Sequence, residues 1–318
     1  MRIAVVLGAG GYVGQAFHLG ALSALAEVAD FDPRCAGVLV GTSAGSLVAA
    51  GLAGGLSVAD LVADLLGKPL STAGTAVRDG GRPHLVAPSV ESLAVARRGP
   101  LAPGILLAAG RRPWAVRPAA LLSGLLPPGR TSTAKLAIDV RRVHGDHWPD
   151  RDLRICAVRA RDGRRVVFGT PGAPVVDVGT AVAASCAIPA YFTPVQVAGE
   201  AYVDGGVHSP SNADVVLADA PELTIVSSPM SFGPGAGRLG RDLGVRFVIR
   251  RYLAAEVRRL RADGARVLVV EPTPADLALM GVKPMRGPRV ADVIDSAAAS
   301  TRSRLRAEPD LLHALAQR

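Results

Sequence analysis

The sequence predicts an α/β fold with a largely parallel central sheet, and three observations predict it. Short apolar runs recur at residues 3–7, 37–40, 153–158, 165–168, 223–226 and 267–270. Segments with helical patterning lie between several of them, the arrangement expected of strand–helix–strand units. Several runs are apolar at every position instead of alternating, as strands covered on both faces should be. Helices are expected at residues 14–28, 44–54, 57–66, 178–187, 242–262, 274–281 and 289–307.

The 318 residues fit a single large α/β domain. Hydrophobic residues make up 49% and aromatics only 4%, so the core must rest on Ala, Val and Leu. The formal net charge is +9, but the only lysines are Lys68, Lys135 and Lys283, and the heavy Arg and Ala usage reads as coding bias as much as function. Arginine pairs such as Arg97-Arg98, Arg141-Arg142 and Arg258-Arg259 are scattered and not interleaved with aromatics, which argues against nucleic-acid binding. Cys35, Cys156 and Cys186 are widely spaced and lack metal-ligand neighbours, so reduced, buried thiols in a cytoplasmic protein are expected. No secretory signal pattern opens the chain. The longest apolar stretch, residues 44–59, stops at Asp60, short of the roughly 20 residues that span a bilayer.

Between about Lys68 and Lys135 the pattern gives way to Pro/Gly/Arg-rich text, "RGPLAPGILLAAGRRPWAVRPAALLSGLLPPGR", too long for an ordinary connection. An insertion with short helices is expected there. Its apolar pieces, with Trp114 and "AALLSGLL", either line or cap an acyl pocket or pack on the body.

Two glycine-containing turns follow the first two strands. In "VVLGAGGYVGQ", Gly8, Gly11 and Gly14 match a variant dinucleotide fingerprint, which keeps open an NAD(P)-dependent reductase or epimerase. The confirming acidic residue should end the second strand; Asp30 and Asp32 instead precede it. The second turn, "GVLVGTSAGSLVAAG", places Gly41-Thr42-Ser43-Ala44-Gly45 between an apolar strand and a small-residue helix. This is the strand-turn-helix context that lifts a nucleophilic serine above a sheet.

A serine nucleophile needs a base. His84, His144, His147 and His313 have no persuasive setting, and His208 has only its nearness to Asp204 in "AYVDGGVHSPSNAD". Asp204 ends an apolar run and is followed by Gly205-Gly206. A hairpin turn would explain the same letters. The serine turn and the glycine loop favour a base.

The loop "GAGGYVGQAFHLGAL", the turn "GTSAGS" and "DGG", in this order, resemble the patatin-like phospholipases, as does the stretch "SCAIPAYFTPVQVAGEAYVDGGVHSPSNAD". The resemblance implies a three-layer α/β/α fold carrying an inserted helical cap. It implies a Ser43–Asp204 dyad working without histidine or metal or cofactor, and an oxyanion hole from the N–H groups of Gly10, Gly11 and Ala44. The motif glycines are Gly8, Gly14, Gly41, Gly45, Gly205 and Gly206. Two positions depart from the usual family pattern: Ala9 replaces the first of three consecutive glycines, and Val13 stands where Arg or Lys is common. The implied substrates are acyl esters of lipids, such as phospholipids or lysophospholipids; an inactive lipid-binding protein of the same fold is the alternative. Ile249, Leu253, Val257 and Leu260 align on one face of an arginine-rich helix, compatible with peripheral docking on an anionic membrane or with a buried stripe.

Overall fold

The computed structural model describes residues 1–80, 126–127, 129–233, 243–281, 285 and 289–316. In chain order the regular elements begin with β1 (Ile3–Leu7), α1 (Gly11–Ala29), β2 (Val38–Thr42), α2 (Ala44–Ala53), α3 (Val58–Leu65) and α4 (Thr72–Gly80). There follow α5 (Ala134–His144), β3 (Leu153–Arg159), β4 (Arg165–Phe168), α6 (Val178–Ser185), β5 (Val195–Val197) and β6 (Glu200–Asp204). The last group is β7 (Leu223–Ser227), α7 (Leu243–Ala262), β8 (Arg266–Val270), α8 (Pro274–Met280), α9 (Val290–Arg306) and α10 (Pro309–Ala316).

One eight-stranded sheet runs in the order β5-β6-β3-β2-β1-β7-β8, with β4 also paired to β3. The pairs β2/β3, β1/β2, β1/β7 and β7/β8 are parallel; β3/β4, β3/β6 and β5/β6 are antiparallel. The expected largely parallel sheet is present, extended by an antiparallel end.

Strand periodicity sorts the core into two layers. Ile3, Val5 and Leu7 of β1, with Leu39, Ile155, Ile225 and Leu268, face a cluster built with α1, α2, α6 and α9. Ala4 and Val6, with Val38, Val40, Val226 and Val267, face Leu253, Val257 and Leu260 of α7. Every residue of β1, β2 and β7 is therefore buried.

All six apolar runs form strands at nearly the expected bounds, and the expected helices are present within a few residues at their ends. Three differences stand out. The hairpin β5–β6 turns on Ala198 and Gly199, both with positive φ (49° and 80°); alanine is a poor advertisement for a turn that asparagine or glycine usually marks. Helix α5 buries only Ala137 and Val140, so its apolar period is faint, and His144 closes this helix. Cys35 is exposed, whereas Cys156 and Cys186 are buried as expected. The stripe Ile249–Leu253–Val257–Leu260 is buried, at most 6% exposed, so it serves the core and not a membrane. Of the expected insertion, α4 and the start of α5 are seen; its apolar pieces with Trp114, and His84, lie outside the described residues. Among the described residues no helix is long and apolar enough to cross a membrane.

Candidate active site

The site forms where three strands end. Strand β2 runs parallel to β3 and stops at Thr42, opposite Cys156. Strand β6 runs antiparallel to β3 and stops at Asp204, opposite the very next residue, Ala157. Because β4 occupies the other edge of β3, β2 and β6 share one edge and meet with their C-terminal ends facing each other. The residue after Thr42 is Ser43, which places its hydroxyl beside the Asp204 carboxyl group.

Ser43 sits at φ 52°, ψ −121°, a conformation that costs a non-glycine residue about 1–3 kcal/mol and persists only where the surroundings enforce it. The surroundings are specific. The Ser43 N–H donates to Ser185 Oγ at 2.8 Å, and that hydroxyl donates to the Cys156 carbonyl at 2.7 Å. The Ser43 carbonyl accepts from Ser46 Oγ at 2.6 Å. The strain falls on the serine itself, not on its flanking glycines. Gly45 is needed for close approach instead: a Cβ there would stand 2.0 Å from the Leu7 carbonyl oxygen, so α2 can start against the end of β1 only with glycine at this position.

Asp204 is 5% exposed. Burial pushes its carboxyl group up to about 6, against the lowering influence of the nearby Ser43 hydroxyl and of the Gly206 N–H, which donates to Oδ1 at 2.7 Å. Gly205 and Gly206 form a short 3-10 turn after β6 and not a hairpin. Cys186 lies beside the pair; burial and the neighbouring Asp204 push its thiol up to about 12, which keeps it protonated and poorly nucleophilic. His208 is half-buried at the end of the same turn.

The glycine loop joins β1 to α1 and lies against both turns: a Cβ on Gly206 would stand 3.2 Å from the Ala9 Cβ, and one on Gly45 2.8 Å from the Gly8 carbonyl oxygen. Gly8 N–H donates to the Ser227 carbonyl at 3.0 Å and Ala9 N–H to the Pro210 carbonyl at 2.7 Å. Helix α1 begins at Gly11, earlier than expected, with Gly14 already in its first turn, bonded to the Gly10 carbonyl at 2.9 Å. Gly11 has φ 62°, the left-handed region open to glycine. Among the described residues, the N–H groups of Gly10, Gly11 and Ala44 have no acceptor, as the opening turns of helices leave them. These donors and the partial positive charge of two helix N-termini suit a developing negative charge. The Ser43 N–H, spent on Ser185, is not among them. Val13, where the family more often has a base, joins the apolar core. Asp32, one of the two acids that precede β2, caps and pairs with Arg34.

Residues that the sequence reading passed over hold these three turns together. His18 is fully buried, with Nε2 2.7 Å from the Gly8 carbonyl oxygen and Nδ1 2.8 Å from Ser227 Oγ. A carbonyl only accepts, so Nε2 carries the proton and Nδ1 accepts from the Ser227 hydroxyl. Burial pushes His18 down to about 4, keeping it neutral. Asn212 Nδ2 donates to Thr42 Oγ1 at 3.1 Å and to the Gly205 carbonyl at 3.3 Å, linking the serine turn to the aspartate turn. Glu256 of α7 accepts from Ser209, Ser211 and the Ala213 N–H, fixing the segment whose Pro210 carbonyl holds Ala9. The only signal for His18 was its place within "GQAFHLGAL"; Asn212 and Glu256 gave none.

His18→Leu should leave the Gly8 carbonyl and the Ser227 hydroxyl buried without partners, at about 1–3 kcal/mol each. The variant is expected to melt earlier and to turn over a soluble short-chain ester more slowly. His18→Gln, which can still donate to Gly8, should retain more of both; equal melting and turnover for His18→Leu and the native chain would refute this role.

Residues 5–217 match the sequence profile of a family described as "Patatin-like phospholipase". Among curated proteins, no relative matches the sequence significantly. Two solved structures are similar in shape. VipD from Legionella pneumophila is 13% identical with a TM-score of 0.44, the match covering 96% of this chain and 67% of that one. The type III effector protein ExoU is 18% identical with a TM-score of 0.38, covering 96% of this chain and 53% of that one.

Proposed function

Because the chain belongs to the patatin-like phospholipase family and is a lipid acyl hydrolase, we propose that it cleaves carboxylic esters of phospholipids or lysophospholipids through a Ser43–Asp204 dyad and an acyl-enzyme. The observation that carries the reading is the meeting of the Ser43 hydroxyl with the buried Asp204 carboxylate at the paired ends of β2 and β6.

Ser43 Oγ attacks the ester carbonyl carbon while its proton passes to Asp204. The carbonyl oxygen, now carrying the negative charge, receives the N–H groups of Gly10, Gly11 and Ala44; one donor of this kind is typically worth about 3 kcal/mol in the transition state. As the intermediate collapses, the proton moves from Asp204 to the leaving alkoxide, and the acyl group stays on Ser43. Water then attacks the acyl-enzyme, gives its proton to Asp204, and releases the fatty acid as Ser43 takes the proton back. A carboxylate at the ordinary value near 4 is a weak base for serine, and burial of Asp204 strengthens it.

The test is release of fatty acid from phosphatidylcholine and from lysophosphatidylcholine by the purified chain, followed by mass spectrometry beside a p-nitrophenyl butyrate assay. Release that tracks protein concentration and stops after fluorophosphonate treatment is the expected result. A chain that cleaves neither lipid nor the soluble ester would overturn the proposal.

A further inference from the structure

Helix α7 buries one apolar face and leaves further apolar residues of its first turns exposed. Ile249, Leu253, Val257 and Leu260 pack inward, as a surface helix requires. Its first turns also hold Val245, Phe247 and Val248 out in solvent, 61%, 53% and 51% exposed. Single exposed apolar side chains are ordinary, but here Val245 and Val248 are helix-surface neighbours and Phe247 is exposed in the same turn, so the start of the helix gathers apolar surface.

The exposed charge carried by the helix itself has one sign; Arg250 turns to Glu271 and the Phe232 ring. Helix α7 contains Arg246, Arg250, Arg251, Arg258, Arg259 and Arg261, and its one acid, Glu256, is buried on the loop behind the site. Arg251, Arg258 and Arg259 are exposed. Phe247 and Arg251 are four residues apart, so they neighbour each other on the helix surface. An apolar leading edge followed by arginines is the composition of a helix that lies in a membrane interface, where acyl chains receive the first and anionic headgroups the second.

The patch also sits close to the candidate active site. Arg246 donates to the carbonyls of Pro229 at 3.0 Å and Ser231 at 3.1 Å. The Pro229 ring packs against Gly10 and Gly14 of the glycine loop. One packed residue therefore separates the root of the patch from the proposed oxyanion donors.

We propose that Val245, Phe247 and Val248, with Arg251 and the arginines behind it, are the docking surface for an anionic lipid bilayer, which delivers bilayer-borne esters to Ser43. The delivery rests on the lipid hydrolase mechanism proposed above; the docking does not. Nucleic acid fits less well, because a phosphodiester backbone offers nothing to three aliphatic and aromatic side chains. A second copy of the chain would bring arginines against arginines.

The experiment measures binding without turnover, using the full chain carrying Ser43→Ala and sedimentation with vesicles of phosphatidylcholine alone or mixed with phosphatidylglycerol. Binding is expected to the mixed vesicles, to weaken with salt, and to fall at least about tenfold in the double substitution Phe247→Asp, Val248→Asp. Phe247→Ser with Val248→Ser should weaken binding in the same direction without added charge, and Arg251→Glu should weaken binding to the anionic vesicles only. In a chain that keeps Ser43, the double substitution should leave melting and soluble-ester turnover unchanged while lowering vesicle phospholipid turnover about tenfold or more. Equal vesicle binding by the native and substituted surfaces would overturn the docking surface, as would loss of DNA binding or of self-association, instead of vesicle binding, on the same substitutions. If vesicles bind through this surface yet no ester is cleaved, the mechanism falls and the docking stands; Ser43-dependent cleavage without vesicle binding gives the reverse.

Discussion

Ser43→Ala is expected to abolish covalent labelling by a fluorophosphonate and to lower turnover of a soluble p-nitrophenyl ester by about 10⁴-fold or more. The size of the effect follows from the chemistry: without the hydroxyl there is no acyl-enzyme, and what remains is the contribution of the N–H groups around Gly10 and Gly11 to attack by water. The fold should tolerate the change. Serine and alanine are both non-glycine residues at φ 52°, and the bonds that hold the turn use the Ser43 backbone N–H and carbonyl, which alanine keeps. Labelling that persists in the alanine variant, read by gel fluorescence and intact mass, would move the nucleophile elsewhere.

The second large effect concerns Asp204. Asp204→Asn should reduce ester turnover by about a thousandfold, the range that loss of a positioned general base produces. In the native chain kcat/KM should rise with pH through about 6 and then level, since the base must be unprotonated and burial holds its carboxyl group at about 6. Stability moves the other way. The folded value is raised above the ordinary 3.8, so the folded chain holds this proton more tightly than the unfolded chain. That contribution is fully present below about 4 and is lost as pH rises through about 6, at a cost of about 3 kcal/mol at neutral pH. Asparagine carries no charge to bury and can still accept from Gly206. The variant is therefore expected to melt above the native chain at pH 7.5, with the difference shrinking toward zero near pH 4. A variant both inactive and less stable at pH 7.5 would mean that Asp204 holds the turn together instead of storing cost for chemistry. The difference between the two chains is the quantity to follow, because buried His18 has an opposing dependence, losing stability as pH falls from about 6.5 toward 4.

Much of the site was legible in the letters because the relevant physics is local. A strand that runs into Gly41-Thr42-Ser43-Ala44-Gly45 and then into small helical residues has few conformations available, and Gly45 abuts the Leu7 carbonyl in the way that such a glycine suggests. The role of His18 was not legible, since a histidine inside an apolar helix reads as a core residue until its two nitrogen partners are seen. Glu256 was hidden for a related reason. In an arginine-rich helix a lone glutamate looks like a solvated counter-charge, yet it turns inward to take three donors from residues about forty positions earlier. In the same region periodicity marked the buried stripe correctly, but nothing in it marked Val245, Phe247 and Val248 as exposed.

The sequence by itself determined the strands, the turns at their ends and the residue types placed there, because strand burial, glycine geometry and helix starts depend on neighbours within a few positions. Tertiary structure alone decided that Ser43 and Asp204 meet. Their union depends on β2 and β6 arriving at one edge of β3 from opposite directions and ending against consecutive residues, Cys156 and Ala157. No window of sequence contains that register; it is settled by the packing of the whole sheet.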